Sequence, residues 1–430
     1  MLRSNDPRCT RIFQSAFSLL LAGALLAFAP PAAAKKQKRK ADTTQQVATP
    51  EDAPPRDTGD ESFGGDDSTN AGTYTLRTLI QTRYVRTAPD IGTELEERLD
   101  PEFRAHMKYI DLMREGARNN DGLRLERVFL RATANPVRSF GLKMLVDFGE
   151  LVRKNQKKAL KLAFGELRPN KSITVTTGLF KIPFSLLELL PIADFEFADV
   201  GPTDNLIKDL GIAGRDVGVM VDVAPLRKGQ WLHLQAGIFN GDNDNAQRHV
   251  NPAIVAGRIT SRPVSALRLG VDCAYRTQAV SDTNAGNTFE KYAEGGACSA
   301  DASLSLSHHL SLRGEWLAGK RTDTPTLLPL GRGTHNFMAA WLAVVYRLKL
   351  TDRMALMPAF RAEWLDQDQP ANVGQITYLT AAMNLEFSPS ARLLFDLSRS
   401  NVQVGTRDAS TSTIYAPSAT IGVVQLQFKL

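Results

Sequence analysis

Alternation of apolar and polar residues with period two, sustained over unusually long runs, decides what this chain can fold into. The stretch around residue 140 puts Phe140, Leu142, Met144, Val146 and Phe148 on one face and Lys143 and Asp147 on the other. Leu310, Leu312 and Trp316 stand opposite Arg313 and Glu315. Leu379, Met383, Leu385 and Phe387 stand opposite Tyr378, Thr380, Asn384 and Glu386. At the C-terminus Val424, Leu426, Phe428 and Leu430 stand opposite Gln425, Gln427 and Lys429. Successive side chains of a strand point to opposite faces, so each run is a strand with one apolar side. About sixteen such segments of roughly ten to sixteen residues follow Tyr74, longer than strands of soluble sheets and long enough for a tilted strand to cross a bilayer. A short helix between Leu95 and Gly116 is the one expected departure.

The links sharpen the reading. Asn135-Pro136-Val137, Arg168-Pro169-Asn170, Pro225 to Gly229, Arg262-Pro263-Val264, Ser307-His308, Thr351-Asp352 and Ser388-Pro389-Ser390 are short. Between them fall longer polar or Gly-rich connections: 88–121, 150–156, 182–214, 241–249, 278–288, 320–334, 366–373 and 401–414. Seven short and eight long links alternate strictly. An even-stranded barrel with short turns on one rim and long loops on the other has this pattern, and a soluble sandwich has no reason to segregate its loops so. The expected fold is all-β, a transmembrane antiparallel barrel of about sixteen strands with both termini on the periplasmic side. A mean hydropathy of −0.21 fits, because only every second residue would face lipid.

The N-terminus carries an address. Arg3, Arg8 and Arg11 precede an apolar run from Ile12 to Ala29, then Pro30-Pro31-Ala32-Ala33-Ala34. This is the layout of a secretory signal peptide over residues 1–34, with an uncleaved anchor as the competing reading. Residues 35–72 begin with the basic run KKQKRK and continue with scarcely a large apolar residue, which reads as a flexible periplasmic linker. The run reads as a solvated charge cluster, with contact to anionic lipid or nucleic acid as the competing reading, and no nucleic-acid partner is expected. Residues 73–430 form the barrel, which would reside in the outer membrane of a Gram-negative bacterium.

Several stretches resemble the phosphate-selective porin O and P family: 122–136 (GLRLERVFLRATANP), 176–188 (TTGLFKIPFSLLE), 214–223 (GRDVGVMVDV), 234–244 (LQAGIFNGDND), 256–263 (AGRITSRP) and the ending VVQLQFKL. The combination of G-x-F-K-x-P-F-S with a later G-x-F-N-G carries most of the likeness. The resemblance spans the barrel and implies a sixteen-stranded porin, usually trimeric, passing small anions such as phosphate or polyphosphate, with its third long loop folded into the pore. That loop is 182–214, whose Phe184, Leu186, Leu187, Leu189 and Leu190 would otherwise be left in water. The expected constriction residues are Lys181, Pro183, Phe184, Ser185 and Glu188; an external cap is the alternative. Two departures stand out. The stretch ADFEFADVG has no arginine until Arg215, where the family commonly has an acid–arginine pair, and the chain ends on Phe428-Lys429-Leu430 where such chains usually end on an aromatic.

Assigning the apolar parity to lipid puts Arg77, Arg83, Lys143, Arg258, Arg268, Arg276, Arg313, Arg347, Arg361 and Arg392 in the lumen as candidate anion contacts. Asp147, Asp222, Asp272, Asp301, Glu315, Glu363 and Asp396 fall on the same face, so cross-strand pairing, of Asp272 for example, competes with solute contact. The six histidines show no metal-ligand spacing, and nucleophile-elbow and P-loop motifs are absent, so no metal, cofactor or enzymatic activity is expected. The expected function is passive diffusion of small anionic solutes, the expected partners outer-membrane lipid and two further copies of the chain. The alternative is a surface scaffold or adhesin with a plugged lumen.

Cys273 and Cys298 remain after the signal is removed, in a compartment that permits disulfides. A hairpin centred on Asn284-Ala285-Gly286-Asn287 sets them opposite one another, on the apolar face of each strand. Opposed Cβ atoms stand slightly wider than a disulfide prefers, so a bond and two buried thiols both remain open.

Overall fold

The computed structural model describes residues 72–89, 122–153, 158–224, 232–241, 254–277, 280–284, 287–292, 294–323, 333–367, 375–403 and 418–429. The expected signal peptide, the linker, the Leu95–Gly116 helix and the Pro225 to Gly229 turn lie outside them. The strands are β1 (Thr73–Pro89), β2 (Gly122–Val137), β3 (Phe140–Asp147), β4 (Leu160–Leu167), β5 (Ile173–Lys181), β6 (Arg215–Val223), β7 (Leu232–Phe239), β8 (Ile254–Val264) and β9 (Leu267–Arg276). Then come β10 (Val280–Asn284), β11 (Asn287–Tyr292), β12 (Gly295–Ser305), β13 (Leu310–Asp323), β14 (Gly333–Tyr346) and β15 (Leu348–Lys349). The last four are β16 (Ala355–Asp366), β17 (Gln375–Ser388), β18 (Ala391–Gln403) and β19 (Ser418–Lys429).

All but β10 and β11 belong to one sheet in which each strand pairs antiparallel with its sequence neighbours. β15 continues β14 past Arg347, so the wall has sixteen strands. The sheet closes where β1 pairs with β19, from Leu79↔Lys429 to Pro89↔Ala419. Closure satisfies every strand edge, which is what hydrocarbon demands of a sheet. Exposure alternates as the sequence dictates: Ile376, Tyr378, Thr380, Ala382 and Asn384 are buried while Thr377, Leu379, Ala381 and Met383 are exposed. In a closed barrel the buried parity faces inward.

Two links differ from the sequence reading. Asn135-Pro136-Val137 and Arg262-Pro263-Val264 belong to β2 and β8, and the turns fall at Arg138-Ser139 and Ser265-Ala266. The register shifts between Ala134 and Val137 and between Ser261 and Val264, so each proline, which has no N–H to donate, sits in a bulge. The link after β9 also differs, since β10 and β11 form a separate hairpin within it. Among the described residues there are also three short helices: α1 (Phe148–Val152), α2 (Leu186–Leu189) and α3 (Pro202–Asp209). Asp147 caps α1 by accepting from the Gly149 amide at 2.9 Å.

Candidate functional site

β5 ends at Lys181 and β6 begins at Arg215, so the irregular apolar stretch occupies residues 182–214 as the sequence suggested, with α2 and α3 inside it. Its apolar side chains are buried: Ile182, Phe184, Leu206, Ile207 and Ile212 are each 0% exposed. They share one apolar cluster with inward-facing residues of the wall, among them Phe180, Phe239, Ile254, Leu317, Phe337 and Leu365. A second cluster joins Leu186, Leu187, Phe195 and Phe197 to Trp341, Ala343 and Val345 of β14.

Polar bonds orient what burial holds. The Glu315 carboxylate of β13 accepts from Ser185 Oγ and the Leu186 amide at 3.0 Å each, from the Leu187 amide at 3.4 Å and from the Trp341 indole at 3.0 Å. Asp272 of β9 accepts from the Ser185 amide, Asp396 of β18 from the Ala198 amide and Glu363 of β16 from the Thr203 amide. Wall carboxylates thus meet the amides at the starts of both helices, where unpaired N–H groups concentrate. The backbone there is unusual. Ser185 has φ 67°, a conformation costly for a non-glycine residue, and it is held at two points, its amide by Asp272 and its hydroxyl by Glu315. Gly201 has φ 96°, and a Cβ placed on it would lie 2.2 Å from Glu363 Oε2.

Wall arginines meet the carbonyls. Arg83 donates to the Ala198 carbonyl and pairs with Asp199 at 2.9 Å. Arg361 donates to Val200, Arg392 to Ala193 and Phe195, and Arg276 to Leu210 and Gly211. The Arg361 guanidinium also lies 4.9 Å from the Phe197 ring centroid.

Nine of the ten expected lumen cations lie on the inward parity of their strands, Arg347 falls in the break between β14 and β15, and their surroundings divide them. Arg83, Arg276, Arg361 and Arg392 hold the segment. Arg258 is bonded to both Asp272 and Asp301, all three fully buried, so it braces the wall. Lys143 pairs with Glu166 at 3.2 Å, and Arg313 pairs with Glu196 of the segment while keeping 21% of its side chain exposed. Arg347 pairs with Glu386 at 2.5 Å near the rim that carries the short turns, with 52% of its side chain exposed. Arg77 stands opposite Arg131, and Arg268 opposite Ser303. Of the expected constriction residues, Pro183, Phe184, Ser185 and Glu188 belong to the segment. Lys181 is the last residue of β5, and its Nζ donates to the Glu188 carbonyl at 2.6 Å.

Sequence reasoning missed a second basic row. Arg124, Arg127 and Arg131 of β2 stand opposite Arg83, Gln81 and Arg77 of β1, with Glu126 bulged between them. Arg124 pairs with Glu126 at 2.7 Å, and Arg83 approaches Glu126 to 3.5 Å. The signal was present in the alternation of LRLERVFLRAT, but the bulge breaks its parity.

Within the segment, α2 and α3 meet at an ionic contact. Lys208 reaches Glu188 at 2.6 Å and Asp204 at 2.7 Å. Burial pushes the Asp204 carboxyl up to about 7, with Lys208 opposing and the neighbouring Glu188 adding to the rise. Burial would raise Glu188 as well, but Lys208 and Lys181 outweigh it and hold that carboxyl below its ordinary value. The two acids thus divide their roles, Glu188 ionised and Asp204 poised near neutrality.

The disulfide candidates are joined. Cys273 and Cys298 are opposed in the β9–β12 register, bonded, with Cα atoms 4.0 Å apart, and both are exposed on the outward face. Among the described residues no cluster of His, Cys, Asp and Glu could hold a metal.

No family model matches the sequence, and no curated protein does. The architecture is similar to solved outer-membrane proteins. The trimer form of OmpT from Vibrio cholerae superposes with a TM-score of 0.52 at 11% identity, over 84% of this chain and 100% of that one. OmpF of Salmonella typhi, solved with daunomycin, superposes with a TM-score of 0.50 at 9% identity, over 83% and 97%. Identities this low establish the fold: a closed, antiparallel, sixteen-stranded barrel of the kind those outer-membrane proteins have.

Proposed function

We propose that this protein is an outer-membrane porin giving passive diffusion to small solutes, with a preference for anions, through a lumen narrowed by residues 182–214. The observation that carries the reading is the division of the wall: an outward face of Leu, Val, Phe and Met and an inward face rich in Arg, Asp and Glu. Such a wall needs hydrocarbon outside and water inside, because so many inward charges in a dry interior would cost several kcal/mol each. The bonds from inward side chains to the segment support its place in the lumen. Long links then face outward from the cell and both chain ends lie in the periplasm. A trimer is the proposed assembly, the form named for the Vibrio cholerae OmpT structure.

Anion preference rests on β1 and β2, where arginine stands opposite arginine at Arg77↔Arg131 and Arg83↔Arg124. Phosphate is not singled out, since arginines that hold carbonyls or carboxylates of the protein itself do not form a dedicated oxyanion site. No catalytic step is proposed. A plugged scaffold is the second reading, favoured by the apolar cluster that fills part of the inward face. Conductance of the purified protein in a planar bilayer under a potassium chloride gradient tests the proposal. Discrete steps with a reversal potential of anion-selective sign support it, a cation-selective sign rejects the preference, and an electrically silent, folded barrel favours the plug.

A further inference from the structure

We infer that the Cys273–Cys298 disulfide forms before the barrel enters the membrane and is sealed from aqueous thiol chemistry afterwards. The inference rests on the membrane-spanning reading above. Both sulfurs lie on the outward parity, opposed across β9 and β12. Each cysteine is three residues from the strand end that leads into the long link, at Arg276 and Gly295. With the rise and tilt of a barrel strand, that places them about 7 Å inside the rim, within the apolar band. Their outward neighbours are Val271 and Tyr275 on β9, Gly257 on β8, Gly296 and Ala300 on β12 and Ala318 on β13. The polar group among them, the Tyr275 hydroxyl, donates to Glu294 in the long link, and the glycines and alanines leave the bond open to lipid.

Chemistry then fixes the order of events. A thiolate of one cysteine attacks the disulfide of a soluble oxidoreductase in the oxidising compartment, giving a mixed disulfide and releasing one oxidant thiolate. The second cysteine thiolate attacks the chain's sulfur of that mixed disulfide. The Cys273–Cys298 bond forms, and the oxidant leaves as its dithiol, carrying both electrons. Both attacks run through an anion and need the oxidant within bonding distance. Hydrocarbon denies both once the strands are in place. The unfolded exported chain meets both conditions, since only 25 residues separate the cysteines.

The test uses the whole protein, extracted from membranes and reconstituted into phospholipid vesicles. The charged reductant tris(carboxyethyl)phosphine is added to intact vesicles and to a boiled, detergent-denatured sample, and new thiols are counted on gels by a maleimide polymer. Reduction of the intact barrel should be slower by about 100-fold or more, as expected for an ionised reagent excluded from hydrocarbon. In the reverse arm, oxidised glutathione should close the bond in reduced, urea-unfolded chain and fail to close it in reduced chain already folded into vesicles. Equal rates in either arm, or two alkylatable thiols in denatured protein never exposed to reductant, would overturn the inference. Membrane sedimentation and the gel shift on boiling locate the fault: equal rates in an embedded, heat-modifiable barrel sink the order of events alone, whereas loss of both properties sinks the membrane reading with it.

Discussion

Replacing Glu315 by Ala removes the acceptor at the start of α2 and asks how firmly residues 182–214 are held. Two bonds of the segment, from Ser185 Oγ and the Leu186 amide, meet this carboxylate at 3.0 Å. Hydrogen bonds to a charged group contribute about 1.5–3 kcal/mol each. Their sum overstates the loss, because Glu315 shares its surroundings with Asp272 and Asp301, and removing it relieves repulsion. A net weakening of about 2–4 kcal/mol follows, which lowers the ratio of docked to undocked segment by roughly 30- to 700-fold. Single-channel recording should show larger or strongly fluctuating steps, and a protease added to vesicles should cut between Leu186 and Asp199. The barrel should keep its gel shift on boiling, since β13 pairs through its backbone. Glu315→Gln retains an acceptor and should show about half the energetic effect. Unchanged steps and full protease resistance in Glu315→Ala would refute the claim that wall carboxylates hold the segment.

Other perturbations probe the same construction. Gly201→Ala forces a Cβ into Glu363 and onto a positive φ, and should release α3, read as protease sensitivity near Pro202 with the barrel intact. Asp204 has a raised pKa, so its contribution is largest at low pH and is lost as pH rises from the ordinary carboxylate range through about 7. Current noise should therefore grow between about pH 5 and 8, and Asp204→Asn should flatten that dependence; an identical pH profile in the variant would remove the acid from the account. Arg313→Glu places a second carboxylate beside Glu196 at a partly exposed inward site, and should move the reversal potential toward cation preference.

How far the sequence spoke depends on the range of the interaction. Parity is local, so Phe140 to Phe148 and Leu379 to Phe387 display their outward faces without reference to any other strand. The Cys273–Cys298 register follows from the Asn284↔Asn287 pairing only 25 residues of chain apart. The short helices left weaker traces. α2 has four residues, too few for a period, while α3 announces itself by Pro202 at its start and Lys208 in its last turn. The uses of the arginines were hidden: Arg83 meets Ala198, and Arg392 meets Ala193 and Phe195, across separations of more than 100 residues. Parity could place those guanidinium groups inside, and only the folded wall distinguishes an arginine that holds a carbonyl from one that meets a solute.

If residues 182–214 narrow a water-filled lumen, deletion within Leu186 to Asp199 must widen it. Single-channel conductance of the deletion variant and the intact protein is compared in the same bilayer and salt, after gel shift and oligomeric state show that both barrels are assembled. The variant should show the larger conductance, with discrete steps in both. Equal conductance in a fully assembled variant would contradict it and place the segment outside the conducting path.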